Sequence, residues 1–179
     1  WGREARKGVD HARAQVAQLI GADPKEIIFT GGGSEADNLA IKGAAWALKD
    51  KGKHIITSAI EHHALLDTVK WLGKNGYEYT ILPVDETGLV DPKELEAAIR
   101  PDTILASIMF ANNEIGTIQP VAELGEVCRR HGVLFHTDGV QATGHVKIDM
   151  KELPIDMMTM AAHKMYGPKG VGALYVRKG

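Results

Sequence analysis

Short apolar runs alternate with stretches of helical spacing along most of the chain. In residues 2–20 apolar side chains recur every three or four positions, which predicts an amphipathic helix that ends before Gly21. The same patterns predict helices at 35–49, 64–74, 92–100 and 121–131, and strands at 26–30, 53–58, 77–82, 103–109 and 133–137. This alternation favours an α/β fold class, with a mostly parallel sheet that has helices on both faces.

The stretch from Ile155 to Val176 carries a lysine between two apolar segments. The runs IDMMTM and VGALYV are interpreted as buried strands, and the loop between them holds His163, Lys164 and a Gly-Pro-Lys-Gly turn. We expect a lysine held there to lie close to the core, where loss of water favours the neutral amine that attacks an aldehyde. The alternative is a solvated turn lysine. A further short strand is predicted near residues 145–148.

The composition is that of an ordinary globular domain of 179 residues, with 44% apolar and 25% charged residues. The formal net charge is −2 and the basic residues are spread along the chain, so no nucleic-acid partner is expected. No apolar run is long enough to span a bilayer, so no membrane association is expected. The chain begins at Trp1 without an initiator Met and stops at Gly179 just after a predicted strand, which suggests a piece of a longer protein.

The one cysteine, Cys128, excludes an intramolecular disulfide and fits a reducing compartment, so we expect the cytoplasm. Leu124 and Val121 precede it by four and seven residues on a predicted helix, so it should face the core as a packing thiol. No metal site is expected, because the sequence contains neither H-E-x-x-H nor C-x-x-C. Four histidines are interpreted as structural or solvated: His54, His131, His136 and His145.

Polar residues follow the carboxyl ends of five predicted strands. In open α/β sheets this edge forms the ligand crevice, so five loops are expected to converge on one rim. The residues concerned are Gly31–Ser34, His62 and His63, Asn112 and Asn113, Asp138 and Gln141, and His163 and Lys164.

The chemistry of these loops suits an aldehyde cofactor that carries a phosphate. Glycines 31–33 open a helix, where backbone N–H groups can approach an anion; the alternative is a tight turn with Ser34 as N-cap and Asp37 in the first helical turn. Asp138 could hold a proton on a heterocyclic nitrogen, and its alternative is a strand-end cap. A nucleophilic lysine, an anion cradle and an acid are together the parts that a pyridoxal phosphate site requires.

Five segments of the chain resemble the class V aminotransferase family, and most closely its cysteine desulfurases of the iron–sulfur-cluster and nitrogen-fixation type. They are FTGGGSEADNLAIKG, EHHALLDT, ANNEIGTIQP, HTDGVQATG and AAHKMYGPKGVGALYVR. The resemblance implies the large domain of a fold type I, aspartate-aminotransferase-like enzyme over residues 1–179, without the parent's N-terminal segment and C-terminal domain. It also implies pyridoxal 5'-phosphate as cofactor, L-cysteine as substrate, a sulfur-acceptor scaffold protein as partner and a homodimer.

The same resemblance assigns roles to individual residues. Lys164 would bind the cofactor's aldehyde and later move protons, with His62 stacked on the ring and assisting proton transfer. Asp138 would pair with the ring nitrogen, and Gln141 with the phenolic oxygen. The remaining contacts would come from Gly33, Ser34 and His163 at the phosphate, Asn113 near the ring oxygen and substrate carboxylate, and Val140 on the opposite ring face.

The sequence departs from the family pattern at three positions. Ala161 stands where a phosphate-binding serine is usual, Gly139 where alanine is common, and Ser34 where threonine is usual. The loop cysteine that forms the persulfide, and the arginine that holds the substrate carboxylate, are expected beyond Gly179, so this chain alone should be inactive. A selenocysteine lyase, a class V aminotransferase and a non-catalytic fragment or scaffold remain as alternatives.

Overall fold

Seven strands form one sheet in the computed structural model, which describes residues 1–178. The order across the sheet is β1-β7-β6-β5-β4-β2-β3; neighbours from β6 to β3 run parallel, whereas β7 is antiparallel to both β6 and β1. The strands are β1 (Ile27–Thr30), β2 (His54–Ser58), β3 (Glu78–Leu82), β4 (Thr103–Ser107), β5 (Leu134–Asp138), β6 (Met157–Ala161) and β7 (Gly172–Val176).

Helices cover both faces of this sheet. One apolar core joins the sheet to α2 and α3, and the other joins it to α1, α4 and α5. Adjacent strand residues contribute to opposite cores, as Ile55 and Ile56 do on β2, because side chains alternate along a strand. The α-helices are α1 (Gly2–Leu19), α2 (Gly33–Ala47), α3 (His63–Lys74), α4 (Pro92–Ala98) and α5 (Val121–His131), with 3₁₀ turns at Pro24–Glu26 and Ala162–Lys164. The predicted fold class is confirmed.

The strand predicted near residues 145–148 is wrong. The N–H groups of His145 and Val146 both donate to the carbonyl of Ala142, so the chain turns there instead of extending. A single isolated bridge between Thr143 and Val146 is the β pairing recorded in this segment of the described chain.

The start of α2 also differs from the prediction. The helix begins at Gly33 with Gly32 as N-cap, so Ser34 is not the cap and Asp37 lies beyond the first turn, buried. The preceding loop is held by Glu35, which accepts the N–H of Gly31 at 2.6 Å. It packs against the start of β7, where a Cβ on Gly172 would lie 2.5 Å from the carbonyl carbon of Gly32. Only glycine permits this approach.

Buried polar and thiol groups behave largely as the sequence predicts. Cys128 is fully buried in the core, and burial raises the pKa of its thiol to about 12. His54 and His136 are buried and hydrogen-bonded to hydroxyl groups of neighbouring strands, which are structural roles. Across residues 1–178 no helix combines the length and the apolar character that a bilayer crossing requires.

Candidate active site

A cavity of about 150 Å³ opens at the carboxyl edge of the parallel strands. Its wall contains every residue to which the family resemblance assigned a role, and each of the five predicted loops contributes to it. Four residues named for those loops are not in the wall: Gly31, Gly32, His63 and Asn112. The lining residues are Gly33, Ser34, Asp37, His62, Met109, Asn113, Asp138, Val140, Gln141, Ala161, His163 and Lys164.

The first turn of α2 forms one wall of the cavity. Gly33 and Ser34 are its first two helical residues, and Gly32, the N-cap, has no side chain to bind the free N–H groups. A Cβ on Gly33 would lie 3.0 Å from Cγ2 of Val140 and 3.5 Å from Cβ of Ala161, so glycine keeps this wall open. The positive end of a 15-residue helix therefore faces the cavity, which suits an anion.

Asp138 forms the floor of the cavity at the end of β5 and is 6% exposed. Its Oδ1 accepts the N–H of Val140 at 2.9 Å. Asp138 is therefore both a strand-end cap and a residue of the cavity. Burial raises the pKa of Asp138, while the Val140 N–H and the nearby His62 oppose that shift. The carboxyl group is thus a buried acid with a fixed orientation.

His62 and Asn113 stand at the rim of the cavity, on loops tied together beneath them. The Nδ1 of His62 accepts the N–H of Ala64 at 3.1 Å, which caps α3 and assigns the ring proton to Nε2. The side chain of Asn112 donates to the carbonyl of Ile60 at 2.9 Å, which joins the two loops. Asn112 is therefore a structural residue, and Asn113 is the exposed member of the pair.

Lys164 is exposed, so the predicted shielding of its amine by the core is wrong. The 3₁₀ turn carries the lysine out from the end of β6 to the mouth of the cavity instead of leaving it between the strands. The backbone of this turn is held in place, because the carbonyl of Lys164 is hydrogen-bonded to Nε2 of His145 at 2.9 Å and the carbonyl of Ala162 accepts the N–H of Gly167 at 2.8 Å. The alternative prediction, a solvated lysine, is correct for the exposure of Lys164, but the residue also lines the cavity.

Two buried carboxyl groups next to the site were missed by the sequence interpretation. Asp37 is 2% exposed and lines the cavity, and Glu61 is 6% exposed directly before His62. Glu61 Oε1 accepts from Ser58 Oγ at 2.5 Å and from Met109 N at 2.8 Å, yet burial raises its pKa to about 8 against these bonds. The available signal for Asp37 was its position among Ala36, Ala40 and Ile41, which form the buried face of α2.

The three departures from the family pattern have distinct structural settings. Ala161 is fully buried and presents a methyl group to the cavity, where a serine would present a hydroxyl. A Cβ on Gly139 would lie 2.6 Å from Sδ of Met158, so the glycine makes room for that methionine. Ser34 keeps a hydroxyl at the start of α2, where it is exposed to the cavity.

Comparison with known proteins identifies the family. The profile for "Aminotransferase class-V" matches residues 1–179. The chain belongs to the aminotransferase class V family. It is 56% identical over 179 residues to the cysteine desulfurase IscS of Dictyoglomus turgidum, and 58% identical over 178 residues to that of Methanosarcina thermophila. These matches cover 100% and 99% of this chain but 45% and 44% of the relatives, so the chain spans less than half of their length.

Two solved structures share the fold closely. A structure of SspA in complex with cysteine matches with a TM-score of 0.96 and 44% identity, over 99% of this chain and 51% of that one. A NifS-like protein matches with a TM-score of 0.96 and 41% identity, over 99% and 49% of the two chains. The sheet and its helices are therefore those of fold type I enzymes.

Class V enzymes are dependent on pyridoxal phosphate. The functional groups that line the cavity are of the kinds that bind this cofactor. It offers an amine in Lys164, a buried carboxyl group in Asp138 and the free N–H groups at the start of α2. The glycine at position 33 keeps open the space that a Cβ would fill. Within the described residues no three His, Cys, Asp or Glu side chains come together as a metal site.

Proposed function

We propose that this chain is the pyridoxal-phosphate-binding large domain of a cysteine desulfurase, which converts L-cysteine into L-alanine and an enzyme-bound persulfide for iron–sulfur cluster assembly. The observation that carries the proposal is the convergence of Lys164, Asp138 and the start of α2 on one cavity. The desulfurase relatives support this choice of reaction within the family, and the cysteine complex of SspA supports the substrate.

In this proposal the floor and wall of the cavity bind the cofactor. Asp138 would hold a proton on the ring nitrogen, because a carboxylate about 3 Å from a pyridinium gains on the order of 5 kcal/mol at an effective dielectric near 20. The N–H groups of Gly33 and Ser34, together with His163, would hold the phosphate. Gln141 would donate to the phenolic oxygen, and Val140 would pack against the ring.

The rim residues act on the substrate. When bound, pyridoxal phosphate supplies an electron sink for the α-carbon of the amino acid. The Nζ of Lys164 would hold the cofactor through its aldehyde and would be the group that moves a proton at the substrate's α-carbon. His62 would stack on the ring and can donate from Nε2, the nitrogen that its N-cap hydrogen bond leaves protonated. Asn113 would contact the ring oxygen and the substrate carboxylate.

The sulfur transfer step needs an accessible thiolate, and this polypeptide does not supply one. Its one cysteine, Cys128, is fully buried with a pKa raised to about 12, so it is not a nucleophile near neutral pH. We therefore expect the 179-residue polypeptide alone to release no sulfide from L-cysteine. We further propose that the protein forms a homodimer in the cytoplasm and passes its sulfur to a scaffold protein.

The experiment loads the purified chain with pyridoxal phosphate and adds L-cysteine, L-alanine or L-selenocysteine in separate samples. We expect L-cysteine to change the visible absorbance of the bound cofactor, with no sulfide released. Conversion of the cofactor to its amine form by L-alanine would instead indicate an aminotransferase. A response confined to L-selenocysteine would indicate a lyase. No cofactor binding by a folded chain would indicate a non-catalytic scaffold.

A further inference from the structure

Asp37 is a cavity residue that the proposed mechanism does not use. It lies one helical turn after Gly33 on α2, so the two residues share the face that lines the cavity. Its side chain is 2% exposed, and its Oδ1 makes no hydrogen bond within residues 1–178. A buried polar atom without a partner is costly, so its position in the wall of a ligand cavity requires an explanation.

His136 is the nearest basic group, and its geometry does not make an ion pair with Asp37. The Nε2 of His136 is 3.8 Å from Oδ1 of Asp37, which is too long for a hydrogen bond. Both ring nitrogens already have hydroxyl partners, since Nδ1 lies 2.8 Å from Ser107 Oγ and Nε2 lies 3.0 Å from Thr159 Oγ1. Burial lowers the pKa of His136 to about 3, so the ring is neutral.

The other titratable groups around Asp37 are buried carboxyl groups beneath it and basic side chains at the exposed rim. Asp138 on β5 and Glu61 before α3 are the buried carboxyl groups that face it. Burial, followed by repulsion from Asp138, raises the pKa of Asp37 well above its ordinary value, and the Thr159 hydroxyl opposes that shift. The rim groups of the same cavity are His62, His163 and Lys164, all exposed to solvent. No Lys or Arg side chain of the described chain forms a salt bridge with Asp37.

We propose that Asp37 is an uncharged positioning residue, a protonated acid beside the cavity floor that leaves Asp138 as the carboxylate facing the ligand. Two carboxylates that share a buried site do not both ionise, because their repulsion raises the proton affinity of each. Protonation of Asp37 therefore favours ionisation of Asp138. The identity of the ligand rests on the proposed function, whereas the protonation of Asp37 is a property of the chain itself.

The first test is a carboxyl-carbon NMR titration of the cofactor-free chain, with the Asp37 signal assigned by its loss in Asp37→Asn. We expect a protonated carboxyl group at pH 7 and a neutral His136 ring from pH 5 to pH 8. An ionised Asp37 at pH 7, or an imidazolium signal from His136 in that range, would overturn the proposal. Because no cofactor is present, this outcome is independent of the proposed function.

The second test compares the pH dependence of unfolding for wild type, Asp37→Asn and the exposed control Asp67→Asn. A carboxyl group whose folded pKa is raised loses stability as pH rises from the unfolded pKa toward the folded one, and asparagine lacks this loss. The wild-type unfolding constant should therefore rise up to tenfold more per pH unit than that of Asp37→Asn, with Asp67→Asn matching wild type. Parallel curves for wild type and Asp37→Asn would overturn the proposal.

A third readout separates positioning from packing. Asp37→Asn has the shape of the neutral acid, so its dissociation constant for pyridoxal phosphate at pH 7 should stay within threefold of wild type, and its affinity should extend to higher pH. Equal loss of affinity at the same pH in both proteins would show that the charge of Asp37 does not act on the site. Failure of both proteins to bind the cofactor would contradict the proposed function and leave the NMR result as the test of protonation.

Discussion

The cavity floor formed by Asp138, with Asp37 in the wall beside it, is at most 6% exposed, whereas His62, His163 and Lys164 at the rim are exposed. The buried groups project from a strand and a helix that pack against each other, so the hydrophobic core itself fixes their positions and removes water from them. At the rim, the backbone of Lys164 is held by a hydrogen bond, and the His62 ring is anchored through its Nδ1. The floor can therefore set charge and affinity before any ligand arrives, while we expect the exposed side chain of Lys164 to be ordered by what it binds.

The largest expected effect is that of removing the amine of Lys164 at the rim. In Lys164→Ala we expect complete loss of the covalent label that borohydride fixes after incubation with pyridoxal phosphate, because no other lysine lines the cavity wall described here. Intact mass after reduction measures the label. Lys169→Ala, in the same exposed loop, should label like wild type. Retention of one equivalent of label by Lys164→Ala would contradict the assignment.

Replacing the buried Glu61 with glutamine should change the pH dependence of the free energy of unfolding. The folded pKa is raised from 4.5 to about 8, so the folded state binds more protons and wild type loses stability as pH rises through that window. Between pH 5 and pH 7 wild type should lose about 3 kcal/mol more than Glu61→Gln, at about 1.4 kcal/mol per pH unit. Urea denaturation at several pH values measures this difference. The exposed Glu86→Gln should follow wild type; a Glu61→Gln curve that also does so would rule out the raised pKa.

Asparagine at position 138 should weaken cofactor binding without unfolding the chain. The amide oxygen can still accept the Val140 N–H, but the negative charge opposite the ring nitrogen is lost. Loss of a charged hydrogen bond of about 3 kcal/mol corresponds to roughly a hundredfold higher dissociation constant. A titration followed by cofactor absorbance measures it, with Asp67→Asn as the exposed control. Unchanged affinity in Asp138→Asn would mean that the ring nitrogen of the cofactor does not lie opposite Asp138.

The smallest expected effect is a gain in affinity for pyridoxal phosphate. Ala161→Ser would add a hydroxyl to the cavity wall, next to the start of α2, where one phosphate contact is missing relative to the family pattern. A hydrogen bond to a charged group contributes about 1.5 kcal/mol, so the affinity for pyridoxal phosphate should rise about tenfold. Free pyridoxal, which lacks the phosphate, should bind both proteins equally. Equal gains for both ligands would mean that the hydroxyl does not contact the phosphate.

Apart from Asp138, the sequence identified the rim residues better than the buried groups beneath them. Rim residues follow strand ends in short motifs, so Lys164, His62 and Asn113 could be named from loop position and family resemblance together. Asp37 and Glu61 were not named, because their burial depends largely on contacts with strands distant in the sequence, and acids normally favour solvent. The apolar neighbours of Asp37 on α2 were the available signal. The same lack of long-range information explains the wrong shielding of Lys164 and the misplaced start of α2, which follows from the contact between Gly32 and Gly172.

We propose that this cavity holds pyridoxal phosphate on Lys164. The most direct measurement incubates the purified chain with pyridoxal phosphate, reduces it with borohydride and maps the pyridoxyl group by peptide mass. We expect one adduct, on Lys164, in a chain shown to be folded by circular dichroism. A folded chain with no adduct, or with adducts scattered over exposed lysines such as Lys70 and Lys169, would contradict it.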